Sequence, residues 1–361
     1  MKRILCYVAT LNSGGAEHQM VELITLLVEK GYDVTLLTRG NIPDHYTLPS
    51  GVKRDHVSNG RFIIERLLIH FFYFLRKKTD VVISFEQREN CFTIPAFFFR
   101  KKVKVICGER NLTYGHPSKF ERLLMKVLYK RADYIVPNSY SQRDYLLTIR
   151  PEWSDKIITI NNYTDTGFYV PKQRKTHEVI NLVTLARFSP QKNYKVFAEV
   201  MKQLSDKTKK VCVNWYGNFL EEDEYNKHYL WLKEFIQNNC LQDTFYLHNH
   251  VKDVREVLYN ADALCLPSLH EGFSNSIAEA ISCGLPVLAS DVSDNHIMVH
   301  DKENGYLFDP NSVESIEKAI LDFVTLSEDE RLLMGEKSRQ IALSLFDKEE
   351  FVSKYISLIE N

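Results

Sequence analysis

The chain has 361 residues, 44% of them hydrophobic and 26% charged, a composition that excludes intrinsic disorder and makes two domains the expectation. Its net charge is −1, yet 25 Lys and Arg stand against 17 Asp and Glu up to Val170, and 21 stand against 30 beyond it. A basic first half suits an anionic partner such as a membrane surface, and the acidic second half argues against nucleic-acid binding.

Chain order then gives a repeating pattern. Apolar runs of strand length alternate with helical periodicity, beginning with Ile4 to Ala9, a helix from Ala16 to Lys30, a stop at Gly31, and Asp33 to Thr38. Further strands are expected at Val81 to Phe85, Val103 to Cys107, Tyr134 to Pro137 and Ile157 to Ile160, with helices at Arg61 to Lys77 and Ser118 to Arg131. This is an α/β pattern with a parallel, doubly wound sheet. The polar stretch from Pro171 to His177 reads as a linker. Strand runs resume at Ile180 to Ala186, Val211 to Tyr216, Thr244 to Leu247, Ala263 to Leu266, Leu285 to Ala289 and Tyr306 to Phe308. Two Rossmann-like domains in tandem are expected, 1–170 and 177–346.

Lys2-Arg3 before Ile4 to Leu11 imitates a short signal peptide, but the run passes through Gly14-Gly15 into an amphipathic helix and is better read as a buried first strand. Leu67 to Leu75 and Cys91 to Phe99 fall short of the ~20 apolar residues that a spanning helix needs. Cys6, Cys91, Cys107, Cys212, Cys240, Cys265 and Cys283 are odd in number and mostly sit in apolar runs, as reduced cysteines of a cytoplasmic protein do.

Ligands of open α/β sheets bind at the carboxyl ends of the strands, so the strand-exit loops carry the chemistry. The first strand leaves through Gly14-Gly15, where backbone can approach a ligand and a helix offers N–H groups to an anion. The strand from Ile180 leaves through Arg187-Phe188-Ser189-Pro190-Gln191-Lys192, two cations five residues apart that suit a diphosphate. The strand from Ala263 leaves through Pro267-Ser268-Leu269-His270-Glu271-Gly272-Phe273-Ser274, with a helix starting near Ser274 and Glu279 in its second turn. Helix dipole and N–H groups there favour phosphate, while Glu271 and Glu279 can accept hydrogen bonds from sugar hydroxyls.

Glu271 and Glu279, with seven residues between them and the sequel Gly284-Leu285-Pro286-Val287, resemble the E-x7-E signature of retaining glycosyltransferases, family 4, of the GT-B fold. The likeness extends to Gly14-Gly15, Ala132-Asp133 with Ser139, Asn162 with Asp165, and Asn304-Gly305. It implies an acceptor-binding first domain, a second domain holding a nucleotide diphosphate sugar, reaction in the cleft between them, and a terminal helix within 347–361 that packs back on the first domain. It implies catalytic roles for Arg187, Lys192 and Glu271, with Glu271 on the transferred sugar. Gly14, Gly15, Gly272, Phe273, Ser274 and Glu279 would bind the donor, Glu279 at the ribose. Where many members carry a His after the strand at Val103, this chain has Gly108-Glu109-Arg110-Asn111, so Glu109, Arg110 and Asn111 are the acceptor-side candidates.

No Asp-x-Asp pair occurs, and the histidines show no metal-ligand spacing, so neither metal nor cofactor is expected. His248 and His250 could line the base pocket or be ordinary loop residues. Basic residues among the apolar positions of Ser118 to Arg131, with Arg100 to Lys104 nearby, fit an ordinary packed surface helix and equally fit contact with an anionic membrane, which for a cytoplasmic protein is the inner face of the plasma membrane. The expectation is a retaining hexosyl- or N-acetylhexosaminyltransferase that acts on a glycan or lipid-linked glycan in surface-polysaccharide biosynthesis. A sugar-nucleotide epimerase and a non-catalytic nucleotide-sugar-binding module are the alternatives.

Overall fold

A computed structural model describes residues 2–12, 14–40, 43–110, 119–172, 178–218 and 226–361. Its contacts divide the chain into two compact units, one of Met1–Tyr163 with Asp347–Asn361, the other of Thr164–Phe346.

The first unit is built on β1 (Arg3–Tyr7), β2 (Asp33–Arg39), β3 (Lys53–Val57), β4 (Val81–Phe85), β5 (Lys104–Glu109) and β6 (Tyr134–Pro137). They form one parallel sheet in the order β3-β2-β1-β4-β5-β6. The central strands are apolar on both faces because helices cover both, so β4 is buried throughout. β3 was not anticipated. Its sequence, Lys-Arg-Asp-His-Val, is charged because it is an edge strand with much of its length in solvent. The segment from Ile157 to Ile160 is not a strand. Ile157 makes an isolated bridge to Ile135, and Ile158 and Ile160 donate to Ile135 and Pro137 along the outer edge of β6.

Helix Lys348–Glu360 belongs to this first unit. Its buried Phe351, Val352, Tyr355, Leu358 and Ile359 supply an apolar face, and Tyr163 stacks on Phe351 at 5.3 Å. Gln19 fixes the same place, its amide donating to Tyr163 O at 2.7 Å and accepting from Tyr163 N at 2.8 Å.

The second unit repeats the plan with β7 (Ile180–Leu185), β8 (Val211–Tyr216), β9 (Phe245–His248), β10 (Ala263–Leu266), β11 (Val287–Ser290) and β12 (Gly305–Phe308). All pair in parallel in the order β12-β11-β10-β7-β8-β9. Counted from the first strand of each unit, the two sheets share one strand order, with the reversal between β1 and β4 and between β7 and β10. The core lies around Trp215, which stacks on Phe188 and meets Phe197 and Phe245.

The boundary falls at Tyr163–Thr164, earlier than the expected linker at Pro171. Arg339 is the reason: its guanidinium donates to Thr166 O, Tyr169 O and Ser282 O, which ties residues 166–169 to the second unit. Residues 173–177 of the expected linker lie outside the described residues.

Candidate active site

In the second unit the topological switch point lies between β7 and β10, and both of the chemistry-bearing loops leave from there. After β7 the chain makes a short 3-10 turn at Pro190–Lys192, passes Asn193 in the left-handed conformation and enters helix Tyr194–Lys207. Asn193 tolerates that backbone, and its amide donates to Pro310 O at 2.7 Å. After β10, residues 267–274 lead to helix Asn275–Ser282, with Ser274 as its N-cap accepting from Ile277 N. Ser276 Oγ donates to Leu185 O at 2.8 Å, which holds the helix start against the end of β7.

The two loops are stitched together. Leu269 N donates to Gln191 O at 2.8 Å, and Gln191 Nε2 donates to His270 O at 3.0 Å. Lys192 Nζ then meets Glu271 Oε1 at 2.5 Å, with their side chains 13% and 9% exposed. Arg187 is exposed at the exit of β7. Burial lowers the pKa of His270, and the nearby Glu271 carboxylate opposes that shift. Glu279 is buried one helix turn further in, where Tyr169 OH donates to its Oε1 at 3.3 Å. Phe273 is buried edge-on to Phe346 at 6.3 Å, which makes it a wall of the unit's core beside the half-buried Gly272. The Oγ atoms of Ser189 and Ser268, both buried on the same two loops, have no hydrogen-bond partner among the described residues. Each of these hydroxyls has one proton to donate and lone pairs to accept with.

Arg187, Lys192, Glu271, Gly272, Phe273, Ser274 and Glu279 are therefore gathered on the strand-exit side of one switch point. Three residues of this neighbourhood escaped the sequence reading. Tyr169 lies 110 positions from Glu279, and the paired loop serines are too common a residue type to stand out.

The first unit carries its own polar groups at strand ends. Gly14 caps helix Gly15–Glu29 in extended conformation, and the Glu17 carboxylate folds onto it so closely that a Cβ there would meet Glu17 Oε2. A carboxylate thus already compensates this helix N-terminus. Glu109, at the end of β5, is buried and accepts from Asn90 Nδ2 at 3.0 Å and from Tyr129 OH. Burial raises its pKa to about 7, against the lowering effect of those bonds. Arg110 is buried over the Phe85 ring at 3.8 Å, donating to Asn162 Oδ1 at 3.0 Å and to Tyr355 OH. Asn111 lies outside the described residues. A further buried network, absent from the sequence reading, links Tyr7 OH to Glu89 Oε2 at 2.6 Å and to His70 Nε2 at 2.7 Å, with Arg39 on the other Glu89 oxygen at 3.0 Å.

Among the described residues no group of three or more His, Cys, Asp or Glu is placed to hold a metal ion. His248 Nε2 is paired with Asn214 Oδ1 at 2.6 Å and its ring stacks on Tyr216.

Residues 166–341 match the family of glycosyl transferases group 1. Residues 13–168 match Glycosyltransferase Family 4. The chain belongs to glycosyltransferase family 4. A glycosyltransferase of Haemophilus influenzae, itself uncharacterized, is 24% identical over 94% of this chain and 95% of its own. The Campylobacter jejuni GalNAc-alpha-(1->4)-GalNAc-alpha-(1->3)-diNAcBac-PP-undecaprenol alpha-1,4-N-acetyl-D-galactosaminyltransferase is 27% identical over 78% of this chain and 77% of its own. Anabaena HepE, solved with UDP and glucose, superposes with a TM-score of 0.82 at 14% identity over the whole of both chains. The family 4 chain has the GT-B fold of two parallel six-stranded α/β units.

Proposed function

We propose that this glycosyltransferase moves a hexose or N-acetylhexosamine from a nucleotide diphosphate sugar to a lipid-linked glycan, with retention of anomeric configuration and without a metal ion, on the cytoplasmic side of a membrane. The observation that carries the reading is the Lys192–Glu271 contact. The bond to be broken joins the sugar to the diphosphate. A cation suited to the diphosphate and a carboxylate suited to sugar hydroxyls meet at one point on the β7–β10 side, as a site for that bond requires.

As the bond opens, its electron pair goes to the diphosphate oxygen, an acceptor hydroxyl oxygen bonds to the anomeric carbon in its place, and the hydroxyl proton leaves with the diphosphate. Lys192, Arg187 and the N-terminal end of helix Asn275–Ser282 would stabilise the growing negative charge, and Ser189 and Ser268 would donate to phosphate oxygens. Glu271 would hold the transferred sugar, and Glu279, oriented by Tyr169, would accept from the ribose. The UDP in HepE and the PP-undecaprenol in the name of the Campylobacter relative support a uridine nucleotide donor and a polyprenol diphosphate acceptor.

The test incubates the protein with UDP-, GDP- and ADP-sugars, with and without a polyprenol diphosphate glycan, and follows products by NMR. Transfer in EDTA, with the donor's anomeric configuration kept, is expected. Conversion of the donor with no acceptor present would establish an epimerase instead. Activity lost in EDTA and restored by manganese or magnesium would show that the protein's cations do not suffice.

A further inference from the structure

Helix Ile63–Arg76 has its inward side, including His70 and Phe74, buried in the first unit. A surface helix normally turns polar residues to solvent on the other side. Here Phe62, Ile64, Leu67, Leu68, Phe72 and Leu75 are all exposed, Phe62 by 66% and Ile64 by 68%. On a helical wheel, positions 64, 68, 72 and 75 share one arc away from His70 and Phe74, while Phe71 packs partly on the core. The turn after helix Gln87–Phe97 extends the patch: Phe99 is 75% exposed and meets Phe71 edge-on at 5.9 Å.

Cations ring this surface. Arg61, Arg76, Lys78, Lys101 and Lys102 are exposed, Arg61 and Arg76 lie over the Phe62 and Phe72 rings, and Glu65 is the one carboxylate on the helix. Arg100 anchors the arrangement, donating to Phe74 O and Lys77 O at the end of the helix.

We infer that this face is a membrane-docking element that lies in the headgroup boundary of an anionic bilayer, its apolar arc in the acyl region and its rim of cations on lipid phosphates. At 14 residues the helix is about 21 Å long, suited to lie in the plane and too short to span. A second copy of the chain is the poorer occupant, since a two-fold contact would bring the same cationic rim against itself. The inference deepens the lipid-linked acceptor reading and moves the contact away from helix Lys119–Leu128. That helix exposes only Leu123 and Val127 among its described apolar side chains, and Arg131, just beyond its end, is taken by Phe97 O and Val103 O and by Asp133.

The test is flotation of the full chain with vesicles of phosphatidylcholine, with and without phosphatidylglycerol. Wild type is expected on anionic vesicles, with the double variant Leu68→Glu, Phe72→Glu losing at least tenfold in partition. Replacing Lys78, Lys101 and Lys102 by Gln should cost about fivefold per cation on anionic vesicles alone. Transfer to a water-soluble acceptor should be equal in wild type and the double variant, which separates loss of docking from loss of the transferase reading. The inference is overturned if the double variant floats like wild type, or if Leu123→Glu with Val127→Glu abolishes flotation while the first pair does not. It is equally overturned if wild type ignores vesicles and the Leu68→Glu, Phe72→Glu variant converts a dimer to a monomer.

Discussion

Cutting the Lys192–Glu271 pair from either side should give opposite responses to a nucleoside diphosphate. The pair sits at 2.5 Å with both side chains close to nine-tenths buried, and removing one partner of such a pair leaves a charge whose desolvation is uncompensated, at about 3 kcal/mol. For a unit of this size that is a fall of about 6–12 °C in melting temperature for Lys192→Ala and for Glu271→Gln alike, at ~2–4 °C per kcal/mol. Ligand then separates them. In wild type a diphosphate must share Lys192 with Glu271, and a carboxylate about 4 Å from a phosphate oxygen opposes it by about 4 kcal/mol at an effective dielectric of ~20, before screening by Lys192 and salt. Glu271→Gln removes that opposition and leaves Lys192 without its carboxylate, so its affinity for the free nucleoside diphosphate should rise about tenfold and its melting temperature should recover on binding. Lys192→Ala keeps the repulsion and loses the cation, so affinity should fall about a hundredfold with no thermal recovery. Both variants should lose about 10²–10³-fold in kcat. Calorimetric titration and thermal melts with whichever of UDP, GDP and ADP wild type binds decide the matter. If Glu271→Gln binds nucleotide more weakly than wild type, or Lys192→Ala binds it equally well, the diphosphate does not sit at this pair.

Three further outcomes are expected. Gly305→Ala should cost ~3 kcal/mol or more in a chemical melt, because its Cβ would lie 1.7 Å from Val287 O of the neighbouring strand and neither backbone can yield. Glu109, raised by burial to about 7, binds more protons folded than unfolded between pH ~4.5 and ~7, so it should remove stability as pH rises through that window, on the order of 3 kcal/mol in all; Glu109→Gln should flatten that slope, and an unchanged slope would assign it elsewhere. Glu279→Ala, which removes a contact proposed to be equal in ground and transition states, should raise the donor KM with little change in kcat in steady-state assays.

Alternation of buried strands and helices was legible because a parallel sheet covered on both faces writes itself as uninterrupted apolar runs, as in β4 and β10. Ser274 as N-cap was legible for the same local reason. The edge strand β3 was hidden by its own exposure, and the run at Ile157 misled because an apolar segment bordering a sheet has the composition of a strand without its ladder. Pairings such as Lys192 with Glu271, 79 positions apart, and Tyr169 with Glu279 arise from the sheet order, which no local pattern encodes. The periodicity of Arg61 to Lys77 predicts a helix, and Ile63–Arg76 is one, but periodicity cannot tell which of two apolar sides faces the core.

The first unit is discontinuous in sequence, made of Met1–Tyr163 and Asp347–Asn361. During synthesis the whole of 164–346 emerges before helix Lys348–Glu360 exists, so the second unit can complete its core first, against the usual order in which the amino-terminal domain leads. Until that helix arrives, Arg110 lacks the Tyr355 hydroxyl and Tyr163 lacks the Phe351 ring. A nascent chain would therefore carry a finished second unit and an unsealed first one, and a fragment ending at residue 163 would stay in that unsealed state.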